Sequence, residues 1–276
     1  MDQYTQIMNI IKDADAILIG ASNGFSISEG LHIFADNQEF ETVFGEFKQR
    51  YRIRNILDGM FAKWPSKEVH WEFLSRLIDH YSIGYTGSPN TDALKQIIGN
   101  KPYFFVTSNG ENHFELAGFD ADRIYEIEGN WKYMECQEHC CEQLYEVYPV
   151  IEEMVKADKI GKDATDFIPK CPLCGGDMEI HMPQHHFVPY DQEKQDQYQK
   201  FVKDYHNKKL VILELGVGWR NQLIKAPFMR LAAQEPEGTY ITINRGEIYI
   251  PEEIQDKSFG LDGDMTEILK QLAETM

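Results

Sequence analysis

The chain has 276 residues, room for one large or two modest domains, and its 42% hydrophobic and 12% aromatic content supplies a core, which excludes wholesale disorder. With 27 Lys+Arg against 45 Asp+Glu the net charge is −18, so the surface repels phosphate backbones and a nucleic-acid partner is not expected, whereas a small anion in a locally basic pocket is compatible. No apolar run approaches the roughly 18 residues of a membrane span, and Asp2, Lys12, Asp13 and Asp15 stand where a signal peptide needs its apolar stretch, so a cytoplasmic protein without a membrane partner is expected.

In chain order, residues 14–20 (ADAILIG) form a continuous apolar run ended by glycine, the pattern of a strand buried on both faces. The small-residue turn ASNGFSISEG follows and leads toward Leu31, Ile33 and Phe34, where a helix is predicted. Residues 93–98 read as a helix, 103–107 (YFFVT) and 123–127 (RIYEI) as strands. From about 130 to 194 the composition changes: all five cysteines, several prolines and little periodicity mark an inserted module. Residues 192–205 are helix-prone, 210–215 (LVILEL) and 240–243 are strands, and the turn-rich GLDGDM leads into a terminal helix carrying Ile268, Leu269 and Leu272. Buried strands interleaved with helices predict an α/β fold, a Rossmann-like doubly wound parallel sheet whose ligand lies at the carboxyl ends of the strands.

Cys136 and Cys140 are spaced C-x3-C, and Cys171 and Cys174 C-x2-C within CPLCGG. Two close pairs can close a tetrahedron around zinc, and four sulfurs leave no open position, so a structural ion is expected. Disulfides are disfavoured in a chain without a leader; Cys141 and His139 are the substitute ligands, Cys141 the better one.

Four polar strand ends converge on one edge of the sheet. They are the turn Gly20-Ala21-Ser22-Asn23-Gly24-Phe25-Ser26, Thr107-Ser108-Asn109, Gly216-Val217-Gly218, and Asn244. Each alone is compatible with ordinary loop chemistry; together they suit a dinucleotide diphosphate.

With these residues in place the chain resembles the sirtuins, NAD-dependent protein deacylases and ADP-ribosyltransferases. The GAGxS opening is matched by Ser22-Asn23-Gly24-Phe25-Ser26, without the first glycine, and the TQN motif by Thr107-Ser108-Asn109 running on to Ala117-Gly118. The CPxCGG knuckle, the late Gly216-Val217-Gly218, Asn244-Arg245 of TINR and Gly263-Asp264-Met265 fall in family order from about residue 14 to 274. The resemblance implies an NAD-binding domain from residues 1–129 and 195–276, a zinc-binding module from 130–194, and NAD as the ligand. It also implies that Gly24 and Ser26 cradle phosphate, Gly216 and Gly218 admit the diphosphate, Asn244 bonds the adenine ribose, and Asn109 is catalytic, orienting the nicotinamide ribose and a water.

One departure bears on the reaction. Where sirtuins place a catalytic histidine before a glycine, Glu128 precedes Gly129. A carboxylate of unperturbed pKa about 4.3 is a weaker base than histidine unless burial raises it; as an anion it can also stabilise positive charge on a ribose carbon. The polar non-histidine residue, Asn109-x-x-x-x-Phe114-x-x-Ala117-Gly118, Glu214-x-Gly-Val-Gly and C-x-x-H-C resemble the macrodomain-linked microbial class M branch. That branch implies ADP-ribose transfer to a protein acceptor, including a lipoyl-carrying protein related to the glycine-cleavage H protein, with a macrodomain hydrolase encoded nearby. Deacylation with Glu128 as base, a catalytically silent NAD- or ADP-ribose-binding module, and plain NAD hydrolysis are the competing functions.

Lesser candidates are Glu111 and Glu115, ranked below Glu128; His185 and His186, near an acceptor; and Phe34, Phe44 and Phe47, expected in the core or in a lid. Lys48, Arg50, Arg52 and Arg54 alternate as one solvated face of a strand or loop, with a phosphate or acidic-acceptor site as the other reading.

Overall fold

The computed structural model describes residues 2–160, 164–182 and 191–275, with the side chains of 164 and 165 left aside. Its centre is a parallel sheet of order β3-β2-β1-β7-β8-β9. Strands β1 (Ala16–Ala21), β2 (Tyr103–Thr107), β7 (Leu210–Leu215) and β8 (Thr239–Asn244) coincide with the apolar runs, and β1 and β7 are buried along their whole length because helices cover both faces. The short β3 (Ile124–Glu126) closes one edge and β9 (Ser258–Asp262) the other. Helices α1 (Gln3–Asp13), α6 (Pro89–Ile98) and α11 (Met265–Glu274) pack on one face, and α9 (Gln192–Asp204) with α10 (Lys225–Gln234) on the other. Their starts are set by local chemistry: Asp2 accepts from Thr5 N, Ser88 and Thr91 form a capping box ahead of Pro89, and Asp264 accepts from Thr266 N and Glu267 N.

The order places β1 between β2 and β7, so the chain leaves the centre in opposite directions and a crevice opens beyond the ends of β1 and β7. Under this crevice Glu214 of β7 and Lys225 of α10 form an ion pair of 2.5 Å, with side chains 0% and 1% exposed, and Thr242 donates to the same carboxylate oxygen at 2.9 Å. Glu214 Oε2 and Tyr240 OH find no partner among the described residues.

A second core is built from two distant stretches. The first supplies α3 (Gln38–Tyr51), α4 (Ile56–Met60) and α5 (Lys67–Ile78). The other supplies the antiparallel sheet β5-β4-β6, made of Tyr145–Glu146, Tyr133–Cys136 and Met178–Ile180, and α8 (Tyr148–Lys159). Phe40, Phe44, Phe47 and Trp71 from the one meet Met134, Ile151 and Met178 from the other.

Three expectations are corrected. No helix forms over Leu31, Ile33 and Phe34: α2 (Asn23–Ser28) ends first, at Glu29-Gly30, where Gly30 has φ +96°. Gly260, Leu261 and Asp262, expected in a turn, belong to β9, an edge strand of which only Leu261 is buried, so it lacks the apolar run of the inner strands. Lys48 and Arg50 lie in the last turn of α3 and Arg52 is its left-handed cap, so the alternating cations share no strand or loop face. Lys48 bonds Asp36 and Glu41 at 2.6 and 2.9 Å, and Arg54 bonds Asp58 at 2.9 Å.

Candidate active site

The strand-end loops are held together by backbone contact. Gly24 N donates to Gly216 O at 2.9 Å. A Cβ on Gly24 would lie 2.5 Å from Gly216 Cα; one on Gly216, whose φ is +61°, would lie 2.3 Å from Phe25 N. Both positions therefore require glycine, because the two loops approach each other too closely for a Cβ, and the Gly24 N–H is engaged by Gly216 O. Gly20 serves packing too: a Cβ there would sit 2.5 Å from the Phe228 ring. Ser108 donates to the Ser22 hydroxyl at 3.0 Å, and Asn221 bonds both hydroxyls at 2.9 and 2.8 Å. Asn221, which the sequence reading did not single out, thus joins β1, β2 and the loop after β7, and its buried Oδ1 has no partner among the described residues. Asn244 donates to Val217 O at 3.3 Å. Asp264 is committed to capping α11, Met265 lies in the core, and Arg245 is exposed. The cradle formed by these loops carries two amide oxygens without a partner among the described residues, Asn221 Oδ1 and Asn109 Oδ1, which fit a ligand that brings hydrogen-bond donors such as hydroxyls.

Beside this cradle lies a cavity of about 280 Å³ whose wall includes Ser26, Asn109, Glu111, Glu128, Trp131 and Met182. The two residues expected to be catalytic therefore face one space. Asn109 follows β2; its backbone N donates to Thr107 Oγ1 at 3.1 Å and its Nδ2 to Ser22 O at 3.2 Å, so the amide is fixed, and its Oδ1 has no partner among the described residues. Glu128 reaches the cavity because Ile127 N still bonds Thr107 O at 2.9 Å, continuing the ladder past β3, before Gly129 turns the chain at φ +88°. Burial raises the Glu128 pKa above the ordinary carboxylate value. Glu111 is buried deeper and accepts from the Ser26 hydroxyl, so it is a full member of the site. Glu115 points elsewhere, pairing with Lys132 at 2.7 Å. Trp131 backs the stretch that carries Asn109 and Glu111, its N donating to Gly110 O at 2.8 Å. The mouth is apolar: Phe34 and Phe61, 47% and 61% exposed, stand with Leu57 and Met60 at the wall, while Phe44 and Phe47 are core. His185 and His186 lie outside the described residues.

The four cysteines of the two expected pairs meet, their sulfurs all within 4.8 Å of one another. Cys136 to Cys174 is 3.6 Å and Cys140 to Cys171 is 3.4 Å, close to the edge of about 3.8 Å that Zn–S bonds of about 2.3 Å give a tetrahedron. In the knuckle Gly175 N bonds Cys171 O at 2.8 Å and Gly176 N donates to Cys174 Sγ at 3.3 Å. Backbone N–H groups of Cys174 and Leu173 push the Cys171 thiol down to about 6, presetting a thiolate. Cys141 stands outside, 3.9 Å from Tyr145 OH. The donor set fits a closed structural zinc.

No family model matches the sequence. The chain is 28% identical over 281 residues to a protein ADP-ribosyltransferase of Staphylococcus aureus, an alignment covering 98% of this chain and 88% of that protein. It is also 28% identical over 221 residues to a probable bifunctional ADP-ribose hydrolase/ADP-ribosyltransferase of Fusarium oxysporum f. sp. cubense, covering 75% of this chain but only 36% of that longer protein. Among solved structures, one described as revealing the mechanism and regulation of Sir2 enzymes superposes with TM-score 0.60 at 18% identity, over 99% of this chain and 97% of that one. A Sir2 homologue in complex with ADP-ribose gives TM-score 0.63 at 14% identity, over 99% and 96%. The likeness expected from the motifs thus holds for the fold from end to end.

Proposed function

We propose that this chain, with the sirtuin fold throughout its length, is an NAD-dependent protein mono-ADP-ribosyltransferase. The carrying observation is that Asn109 and a half-buried Glu128, in the place of the sirtuin histidine, face one cavity beside the strand-end cradle; the relative that matches 98% of the chain is named a protein ADP-ribosyltransferase. NAD supplies the ADP-ribosyl group, with nicotinamide as leaving group. Asn109 orients the ribose, so that the bond from C1′ to the nicotinamide nitrogen breaks with its electron pair leaving on nicotinamide. Glu111 and Glu128 offset the positive charge that develops on C1′. The acceptor heteroatom bonds C1′, and its proton passes to Glu128, whose raised pKa makes it a better base than an exposed carboxylate. Ser22, Ser26, Ser108, Gly218 and Asn244 are assigned to the dinucleotide in this reading, and residues 130–194 form its zinc module.

The acceptor is a protein. We assign a lipoyl-carrying protein related to the glycine-cleavage H protein, on the resemblance to the class M branch and on the apolar mouth of Phe34, Leu57, Met60 and Phe61, which suits a hydrocarbon arm. A macrodomain hydrolase encoded nearby would reverse the modification, as the bifunctional name of the fungal relative suggests. Thiols that hold zinc need a reducing compartment, which supports a cytoplasmic location. The test is nicotinamide release by zinc-loaded protein alone, with an acetylated peptide, and with a lipoyl carrier, each beside Asn109→Ala. Release and label transfer only with the carrier, lost in the variant, are expected; turnover of the acetylated peptide instead would establish a deacylase, and binding without release a sensor.

A further inference from the structure

Behind the cavity wall His113 and Glu29 form a charged pair that the mechanism above does not use. His113, 3% exposed, opens the helical turn α7 (His113–Leu116). Its Nε2 lies 2.6 Å from the carbonyl oxygen of Tyr81 and its Nδ1 3.1 Å from Glu29 Oε2. Neither partner has a proton to give when Glu29 is ionised, so both ring nitrogens must donate and the ring is an imidazolium. The groups around it agree. Tyr85 stacks on the ring at 3.7 Å and 5°, a face suited to a cation, while its hydroxyl donates to Glu29 at 2.6 Å and Ser88 donates to the other Glu29 oxygen. The remaining charged neighbour is Glu111, whose Oε1 lies 4.0 Å from Nδ1 and is the oxygen that accepts from Ser26. Burial alone would pull the His113 pKa down, yet the Glu29 bond, the Glu111 charge and the Tyr81 carbonyl outweigh it and the pKa is raised.

From this arrangement we infer that His113 is a positioning residue: as a buried imidazolium braced by Glu29 and Tyr81, it holds the Glu111 carboxylate against Ser26 and toward the reacting ribose. The inference rests on the transferase reading for the role of Glu111, and its charge state stands apart from that reading. A neutral ring would leave two acceptors facing one donor and withdraw the counter-charge that anchors Glu111. Turnover is then lost as pH rises through the His113 midpoint, and the variant defect falls on kcat more than on the KM for NAD.

Imidazole 15N spectra of the zinc-loaded protein, recorded with nicotinamide release over the same pH series, test this. In the wild type both nitrogens are expected to report a protonated ring at pH 7.5, and the alkaline limb of kcat to share the ring's midpoint. Glu29→Gln should lower both midpoints together, and His113→Gln should lower kcat about tenfold or more with the KM for NAD changed less than threefold. A neutral ring at pH 7.5 alongside normal turnover overturns this inference and leaves the functional reading standing. So does an alkaline limb that stays in place when Glu29→Gln moves the ring, or a His113→Gln protein with wild-type kcat. An imidazolium in a protein that releases no nicotinamide with any acceptor overturns the functional reading, and the catalytic role of His113 with it.

Discussion

Replacing Lys225 by Met would leave the Glu214 carboxylate buried with no cation beside it, only the hydroxyls of Thr242 and Tyr240. Lys225 and Glu214 are 1% and 0% exposed, and no other cation reaches the pair among the contacts described. Breaking one side of a buried pair costs about 3–5 kcal/mol, because the abandoned charge keeps its desolvation penalty. At roughly 2–4 °C per kcal/mol for a protein of this size, a loss of about 4 kcal/mol lowers the unfolding midpoint by roughly 8–16 °C. Calorimetry at pH 7.5 would measure it. The double variant Lys225→Met with Glu214→Leu removes both charges and should recover most of the loss, since an apolar pair in that space is close to neutral. If the single variant shifts the midpoint by under 3 °C, or the double is as unstable as the single, the buried charge is not what holds this part of the fold.

Three further outcomes follow from the site. Gly216→Ala, with its Cβ 2.3 Å from Phe25 N and φ at +61°, should push the two loops apart and weaken NAD binding at least tenfold by calorimetric titration; unchanged affinity would separate the cradle from the ligand. Because Glu128 is raised and must be deprotonated to act as base, turnover should climb with pH through a midpoint above the ordinary carboxylate range, and Glu128→Gln should abolish that limb. Burial, with the Glu115 and Glu111 charges adding to it and the Asn130 bond opposing, pushes Glu126 up to about 8 from 4.5. The folded state then binds the proton more tightly than the unfolded one, so stability falls as pH rises between those values, and Glu126→Gln should flatten that slope in denaturant titrations.

Strands β1, β2, β7 and β8 were legible because strands covered on both faces read as unbroken apolar runs, and the cysteine cluster because the short C-x3-C and C-x2-C turns fix their sulfurs locally. Asn109 and Glu128 could be placed since each directly follows a strand that the sequence reveals. What sequence reading missed depends on contacts between distant segments. Nothing near residues 38–78 announces that Phe40, Phe44 and Phe47 share a core with Met134 and Met178. Asn221 looks like any loop asparagine until it meets Ser22 and Ser108, and Glu111 ranked below Glu128 until Ser26 and His113 were seen beside it.

The direct meeting of Gly24 with Gly216 divides the crevice into a half that resists change and a half that does not. Where two main chains touch, no side chain and no inserted residue fits without parting them, so the seam between the two loops admits very few sequences. The opposite lip, formed by Phe34, Leu57, Met60 and Phe61, has no such backbone seam and is partly open to solvent. In the transferase reading, new acceptor preferences can arise there by exchange of single side chains, with the half assigned to NAD left as it is.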